Sequence, residues 1–122
     1  KKYFSKKVLS EYINNSKLDI TINNQLRFVI DFKNTPIGLI DLYDYRKSSA
    51  GIGIVIIEEY REKGFGKESL LLIKKYCSGK LKIRELFCAI QDNNMNSVKL
   101  FTSIGFKEKN TFKNIKYYRI GL

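Results

Sequence analysis

Two glycines flanked by basic side chains form the segment of this sequence best suited to bind a ligand. Gly64 and Gly66 are separated by one residue. Arg61 and Lys63 precede Gly64, and Lys67 follows Gly66. The residues before the segment predict a strand and those after it predict a helix. Glycine lets the backbone approach a ligand closely, and the first N–H groups of a helix have no intrahelical acceptor and lie at the positive end of its dipole. The segment therefore predicts a cradle for an anion, most naturally a phosphate or pyrophosphate.

Two other phosphate-binding patterns do not fit these glycines. A P-loop requires Gly-Lys-Ser or Gly-Lys-Thr after an earlier glycine, whereas Glu68 follows Gly66 and Lys67 here. A dinucleotide fingerprint requires a third glycine or alanine, which the residues after Gly66 do not supply. For an isolated glycine pair, a helix start chosen for tight packing stays open as the alternative.

The composition of the chain excludes several catalytic mechanisms. The chain has no histidine, so it has no Ser-His-Asp or Cys-His nucleophile system and no HExxH zinc site. Its two cysteines, Cys77 and Cys88, lack companion ligands, so we expect no metal site. Cys88 lies in an apolar stretch and is expected to be a reduced core thiol.

The charge and hydropathy of the chain bear on its partners and location. The formal net charge is +11, which favours nucleic acid in principle. Because the basic residues are mostly lysines scattered along the sequence, we expect no nucleic-acid partner. No apolar run reaches the ~18 residues that a membrane span requires, and the first residues do not resemble a signal peptide. These observations predict a cytoplasmic protein with no membrane partner.

The pattern of apolar residues predicts one α/β domain with the order α-β-β-β-α-β-α-β-β. Three consecutive strands followed by a β-α-β unit indicate a mixed sheet with helices covering it. Asn94 should begin the last helix, and Gly105 should end it as a left-handed residue. The predicted helices are residues 4–13, a helix that opens at the glycine turn and is stopped by Ser78-Gly79, and residues 94 to about 104. The predicted strands span residues 26–32, 37–43, 50–57, 83–90, 106 onward and 116–121.

Two motifs resemble those of the GNAT superfamily of N-acetyltransferases. Arg61-x-x-Gly64-x-Gly66 resembles the acetyl-CoA signature (R/Q)-x-x-G-x-(G/A) of that family, on the predicted strand-to-helix turn. Residues 94–106 resemble its N-x-x-S-x-x-L-(Y/F)-x-x-x-G-F element. The two motifs occur in the family's order, and the resemblance covers residues 26–122. The branch that holds spermidine and ribosomal-protein acetyltransferases is the most similar.

The resemblance implies a fold and a cofactor site. The fold is a mixed, mostly antiparallel sheet, flanked by helices, in which the strand before the glycine turn splays from its parallel neighbour. The pantetheine arm would lie along the splayed strand, the pyrophosphate on the amides of residues 62–67, and the last helix on the other side. The implied acetyl-CoA-binding residues are Ile54, Val55, Ile56, Arg61, Glu62, Lys63, Gly64, Phe65, Gly66, Lys67, Asn94 and Phe101.

The implied reaction is transfer of an acetyl group from acetyl-CoA to a primary amine of a small molecule or protein, without a metal. Many relatives protonate the leaving thiolate with a tyrosine where this chain has Phe101, which cannot donate. A degenerate acyl-CoA-binding module with little turnover is therefore the alternative. No general base is assigned. Glu58 and Glu59 could serve as a base, although a role as partners of the helix dipole is favoured. Asp41 and Asp44 could meet a cationic acceptor and Tyr117 and Tyr118 could donate a proton, although solvated carboxylates and packed rings are favoured.

The amino end departs from the family pattern. Relatives begin with a strand and a helix, whereas residue 1 here falls at what resembles the second helix. We therefore expect residues 1–122 to form a single domain that lacks those first two elements. An exposed sheet edge in such a domain could pair with a second copy, so a homodimer is a further expectation.

Overall fold

The computed structural model describes residues 20–122 of the chain; the helix expected over residues 4–13 lies outside them. Within these residues, a mixed sheet of six strands is accompanied by two longer helices, one four-residue helix and one 3₁₀ turn. The elements are α1 (Ile20–Asn23), β1 (Leu26–Phe32), β2 (Thr35–Arg46), β3 (Ser49–Ile56), a 3₁₀ turn (Glu58–Tyr60), α2 (Phe65–Gly79), β4 (Glu85–Gln91), α3 (Met95–Ser103), β5 (Lys107–Phe112) and β6 (Ile115–Gly121). Within residues 20–122, no helix is both long and apolar enough to cross a membrane.

The sheet has the strand order β1-β2-β3-β4-β6-β5. Every neighbouring pair is antiparallel except β3 and β4, which are parallel. That parallel pair is short, because its register ends at Gly51 and Phe87 although both strands continue beyond these residues. The two strands therefore diverge after Gly51. The predicted mixed, mostly antiparallel sheet with a splay at this point is confirmed.

The hairpin turns are tighter than the sequence predicts. Turns of four and six residues were expected after β1 and β2, but each connection has two residues, Lys33-Asn34 and Lys47-Ser48. All four residues have positive φ, between 49° and 69°. Two left-handed residues match the twist of the flanking strands, so β2 begins and ends several residues beyond its predicted bounds. Asp44, expected in a loop, lies within β2 with a φ of 50°, where the register with β3 shifts.

The two faces of the sheet differ in what covers them. Even-numbered side chains of β1, β3 and β4 are mostly buried and point toward α2 and α3. Phe28, for example, packs edge-on against Tyr76 of α2, with 6.0 Å between ring centroids. Because side chains alternate along a strand, Gly51 and Gly53 of β3 belong to the opposite face. The core therefore lies between the sheet and the two helices.

The two long helices are joined at the carboxyl end of α3. Lys74 of α2 donates through Nζ to the carbonyl oxygen of Ile104, which follows α3, at 3.3 Å. Gly105 then turns the chain with a φ of 109°, as predicted for a left-handed residue after the helix. This connection fixes the angle at which α3 faces the start of α2.

Gly38 allows β2 and β3 to approach closely behind the splayed strand. A Cβ at Gly38 would lie 2.5 Å from the carbonyl oxygen of Val55 and 3.3 Å from Cα of Ile56. Because these are backbone atoms within a strand, they cannot rotate away. We expect Gly38→Ala to lower the free energy of unfolding by about 1–3 kcal/mol, measured by urea denaturation. The control is Gly121→Ala, whose Cβ meets no atom of residues 20–122 within 4 Å; an equal loss in both variants would contradict the prediction.

Candidate active site

An elongated cleft opens where β3 leaves β4. Its volume is about 570 Å³. The outer half of β3, the turn before α2 and one face of α3 form its walls. The lining residues are Ile54, Val55, Ile56, Tyr60, Arg61, Glu62, Gly64, Gly66, Lys67, Asn94, Asn96, Ser97, Lys99, Leu100 and Ser103.

The turn at one end of the cleft has the backbone geometry of an anion cradle. Glu62 has a φ of 59° and Gly64 a φ of 90°, and α2 begins at the next residue. No side chain caps α2, and its first intrahelical bond runs from the N–H of Glu68 to the carbonyl oxygen of Gly64. The amides of the preceding residues point out of the helix start toward the cleft. With Lys67 beside them, this end of the cleft attracts negative charge.

Arg61 holds the turn against the end of β3. Its side-chain Nε donates to the carbonyl oxygen of Ile56 at 2.7 Å. This bond spans the 3₁₀ turn and fixes the distance between the strand and the helix start. Arg61 thereby lines the cleft although its side chain is exposed, and its guanidinium carries further N–H donors.

The outer half of β3 offers alternate backbone groups to the cleft. The N–H of Ile57 donates to the carbonyl oxygen of Ile37 at 2.8 Å, so Ile57 faces β2. By alternation along the strand, the backbone N–H and C=O of Ile54 and Ile56 point the other way, toward the gap that β4 has left, where the Ile56 carbonyl also accepts from Arg61. An extended ligand that carries amides can pair with such an edge as an added strand does. Val55, 62% exposed, borders the same edge.

Helix α3 supplies the opposite wall. Asn94 caps the helix by accepting from the N–H of Ser97 through Oδ1 at 3.2 Å, so its side-chain NH₂ is the group that can donate to a ligand. Leu100 packs close to the start of α2: a Cβ at Gly66 would lie 3.2 Å from Cδ2 of Leu100 and 3.9 Å from Cδ1 of Ile54. Gly66 therefore lets the two helices and β3 converge at the cleft.

The structure brings nine of the twelve proposed binding residues to the cleft. Lys63 is exposed but does not line it. Phe65 and Phe101 are each 3% exposed and belong to the core, Phe65 against Phe32 and Tyr60, and Phe101 against Phe106. Neither ring reaches the cleft, because each is on the inward side of its helix. The nine lining residues are Ile54, Val55, Ile56, Arg61, Glu62, Gly64, Gly66, Lys67 and Asn94.

Six lining residues were not proposed from the sequence. Asn96, Lys99, Leu100 and Ser103 recur every three or four residues and thus share one face of α3, a periodicity that the sequence contains. Ser97 belongs to the second motif but had no assigned role. Tyr60 has no sequence signal, since its place in the cleft depends on the 3₁₀ turn.

The side chains considered for proton transfer or for contact with the acceptor do not line the cleft. Asp41 forms a bidentate ion pair with Arg27, with N–O distances of 2.7 and 3.0 Å, on the opposite face of the sheet. Asp44 lies in the bulge of β2, and Glu58 and Glu59 are exposed on the 3₁₀ turn. Tyr118 is only 2% exposed, whereas Tyr117 is half-buried. None of these six residues lines the cleft.

The cysteines are unsuited to act as nucleophiles. Both are free and buried, and burial raises the pKa of each thiol to about 12. They therefore stay protonated at neutral pH. In the part of the chain that the structure describes, no three His, Cys, Asp or Glu side chains form a group that could hold a metal ion.

These features define a class of protein: a mixed-sheet domain whose splayed strand, helix start and second long helix form a cleft suited to an extended, anionic ligand. The model of the acetyltransferase (GNAT) domain family matches residues 3–107. The chain belongs to this family. The predicted membership is confirmed.

Comparisons with individual proteins agree with the family. An uncharacterized N-acetyltransferase from the SPbeta prophage of Bacillus subtilis, YokL, is 24% identical over 95 residues, which are 75% of this chain and 54% of that protein. RimJ of Mycobacterium smegmatis, solved with CoA-disulfide, superposes with a TM-score of 0.79 at 14% identity over 92% of this chain and 60% of its own. The chain thus spans 54% and 60% of these two relatives.

A second solved structure is more similar to this chain in sequence. The spermidine N-acetyltransferase of Vibrio cholerae, solved with CoA and spermine, has a TM-score of 0.76 and 25% identity over 98% of this chain and 76% of its own. The fold is therefore shared by relatives whose structures contain CoA.

Proposed function

We propose that this chain is an acetyl-CoA-dependent N-acetyltransferase that acts on a primary amine of a small molecule or protein. The observation that carries the proposal is the cleft at the strand splay, with the helix-start cradle at one end and an available strand edge along its side. Membership of the GNAT family and the CoA found in similar structures support it.

The residues of the cleft fit the parts of acetyl-CoA in order. The amides from Glu62 to Lys67 would hold the pyrophosphate, since the helix start and its basic neighbours favour an anion. The backbone of Ile54 and Ile56 would pair with the amides of the pantetheine arm. Asn94 would donate from the opposite wall through its side-chain NH₂. In this arrangement the reactive end of the cofactor lies at the inner end of the cleft, where β3 and β4 converge.

The proposed chemistry is direct attack of the amine on the thioester that acetyl-CoA supplies. The N–C bond forms, the C–S bond breaks, the amine proton passes to water, and coenzyme A leaves as a thiol after protonation. None of the six side chains considered for catalysis lines the cleft, so we propose that water relays both protons. The chain positions the two reactants in the cleft, and its backbone N–H groups stabilise the negative charge that develops on the carbonyl oxygen.

A CoA-binding module with little turnover is the second candidate, and Phe101 favours it. Its ring is packed against Phe106 with 5.1 Å between centroids, so α3 offers no phenol at this position. Thermal melting with acetyl-CoA tests both candidates, because binding to the folded state raises the melting temperature. Release of CoA thiol in the presence of primary amines then separates them: turnover supports the enzyme, and a melting shift without turnover supports the module.

The bond from Arg61 to Ile56 predicts an unusual ranking of substitutions. Arg61→Gln keeps an N–H donor but loses the charge, whereas Arg61→Lys keeps the charge but loses the planar donor geometry. If the bond to the Ile56 carbonyl positions the turn, we expect acetyl-CoA affinity to fall by roughly 3-fold in the glutamine variant and roughly 10-fold in the lysine variant, as for loss of one hydrogen bond to a charged group. Isothermal titration measures both affinities. Tighter binding by the lysine variant would show that charge, not position, is the role of Arg61.

We further propose that residues 1–122 act as one domain in the cytoplasm. The single sheet through residues 26–121 supports one domain, and the two reduced thiols suit a reducing compartment.

A homodimer through an exposed edge strand is also proposed, since every residue of β5 is exposed. Size-exclusion chromatography with light scattering tests that assembly.

A further inference from the structure

An aromatic pair marks the point where β3 and β4 begin to diverge, on the face opposite α2 and α3. The ring of Tyr43 lies directly over Gly51, so close that a Cβ at Gly51 would collide with three of its carbon atoms. The same ring packs edge-on against Phe87, with 6.0 Å between centroids and 86° between planes. Gly51 and Phe87 form the last residue pair of the two strands. The pair therefore forms a wall at the apex of the splay.

Open space adjoins this wall. A Cβ placed on Gly53 would meet no atom of residues 20–122 within 4 Å. Gly53 is two residues along β3 from Gly51, on the same face, and it directly precedes Ile54, the innermost strand residue of the cofactor cleft. One residue of a strand spans only about 3.3 Å, so a group above Gly53 is within reach of the inner end of that cleft. Beyond the last pair, no ladder bond between β3 and β4 closes the way from one face to the other.

The charge around this space is balanced. Asp41 is the residue opposite Gly53 on β2, and both of its carboxylate oxygens accept from Arg27. This carboxylate is consequently engaged and neutralised. Asp44 is close enough to Tyr43 to add to the rise in the pKa of the phenol, after the larger effect of burial and that of Cys88. Recognition of a polycation requires several available carboxylates, and the residues around Gly53 offer aromatic carbon instead.

We propose that the space above Gly53, with Tyr43 and Phe87 as its wall, is the acceptor site and selects a primary amine carried on an apolar or aromatic group. The proposal rests on the proposed acetyltransferase function. In it, the amine nitrogen reaches the inner end of the cleft between the diverging strands, while its apolar group packs against the two rings. Gly53 is a specificity-determining residue because its missing side chain leaves room for the acceptor.

The test compares Gly53→Val with Gly121→Val, because both glycines lie in strands and have open space around the Cβ among residues 20–122. The amines are 2-phenylethylamine, hexylamine, glucosamine and spermidine, each assayed for release of CoA thiol. We expect wild type to use the two apolar amines at least about 10-fold better than the other two in kcat/KM, the discrimination a hydrophobic pocket can supply. In Gly53→Val, kcat/KM for the apolar amines should fall by about 100-fold, mainly through the KM of the amine, as misplacement of a reactant does. The melting shift with acetyl-CoA should be unchanged in both variants, and Gly121→Val should behave as wild type.

Several results would overturn this assignment while leaving the acetyltransferase function intact. One is that the wild-type protein prefers spermidine or glucosamine to the apolar amines. A second is that Gly53→Val has the amine kinetics of wild type. A third is that the wild-type protein binds acetyl-CoA but acetylates neither apolar amine. Unfolding of Gly53→Val together with Gly53→Ala would show that protein atoms fill the space, and would also overturn it. Absence of any melting shift with acetyl-CoA in wild type would instead remove the proposed function itself.

Discussion

Replacing Gly64 with glutamate is expected to abolish binding of acetyl-CoA. The residue has a φ of 90°, and α2 begins directly after it. A glutamate there would place a carboxylate at the helix start where the proposed pyrophosphate lies, and like charges juxtaposed in an interface cost several kcal/mol. Since each 1.4 kcal/mol is a tenfold change, affinity should fall by at least about 100-fold. Isothermal titration with acetyl-CoA at low ionic strength measures the loss.

The control for this variant is Gly64→Asn, which separates charge from backbone strain. Asparagine tolerates the left-handed region better than other side chains and is uncharged. We expect it to lower the free energy of unfolding by about 1 kcal/mol and to retain measurable binding. Equal affinity of the glutamate variant and wild type would show that the ligand binds elsewhere, and equal losses in both variants would show that strain, not charge, is responsible.

Replacing Phe65 with alanine is expected to be the most destabilising of these changes. The sequence placed this residue in the cofactor site, but its ring is 3% exposed and packs edge-on against Phe32 and Tyr60, with centroid distances of 5.1 and 5.7 Å. Truncating a buried phenylalanine leaves a cavity and costs about 3–5 kcal/mol. That is a large share of the ~5–15 kcal/mol that stabilises a typical protein. Urea denaturation measures the free energy of unfolding, and the amplitude of far-ultraviolet circular dichroism verifies that the variant is folded.

Phe112→Ala is the matched control for the loss of Phe65. It removes the same side chain from the edge strand β5, where the ring is 62% exposed and lies 5.4 Å from the Nζ of Lys113. We expect a cost within about 1 kcal/mol, since the ring leaves no cavity and the cation–π contact is solvated. If the two variants lost similar stability, the three-ring cluster of Phe32, Tyr60 and Phe65 would not be a principal support for the start of α2.

The aromatic cluster also explains why a residue inside a binding motif can serve the core. The motif requires the backbone of residues 62–67 at the cleft, whereas a helix sends successive side chains about 100° apart around its axis. Gly66 therefore borders the cleft while the preceding Phe65 points inward to Phe32. The same geometry places Phe101 in the core although Leu100 lines the cleft.

From β1 onward, the order of the strands and the two longer helices, the mixed sheet and the position of the glycine turn followed from the sequence by itself. These features depend on local properties: apolar periodicity, the glycines at 64 and 66, and the basic residues beside them. The strand ends were less predictable, because turns such as Lys33-Asn34 use left-handed residues that are not glycine. The family motifs added the location of the splay, which periodicity does not contain.

Only the tertiary structure decided which side chains meet at the site. The bond from Arg61 to the Ile56 carbonyl, the face of α3 that reaches the cleft and the engagement of Asp41 by Arg27 join residues from different elements. The space that residues 20–122 leave open above Gly53 is likewise a property of the assembled sheet. A glycine in a strand has the same sequence signal whether these residues fill its surroundings, as at Gly38, or leave them open. Such contacts depend on the register of the strands and on the angle between packed elements. A shift of one residue in register moves every side chain of a strand to the opposite face.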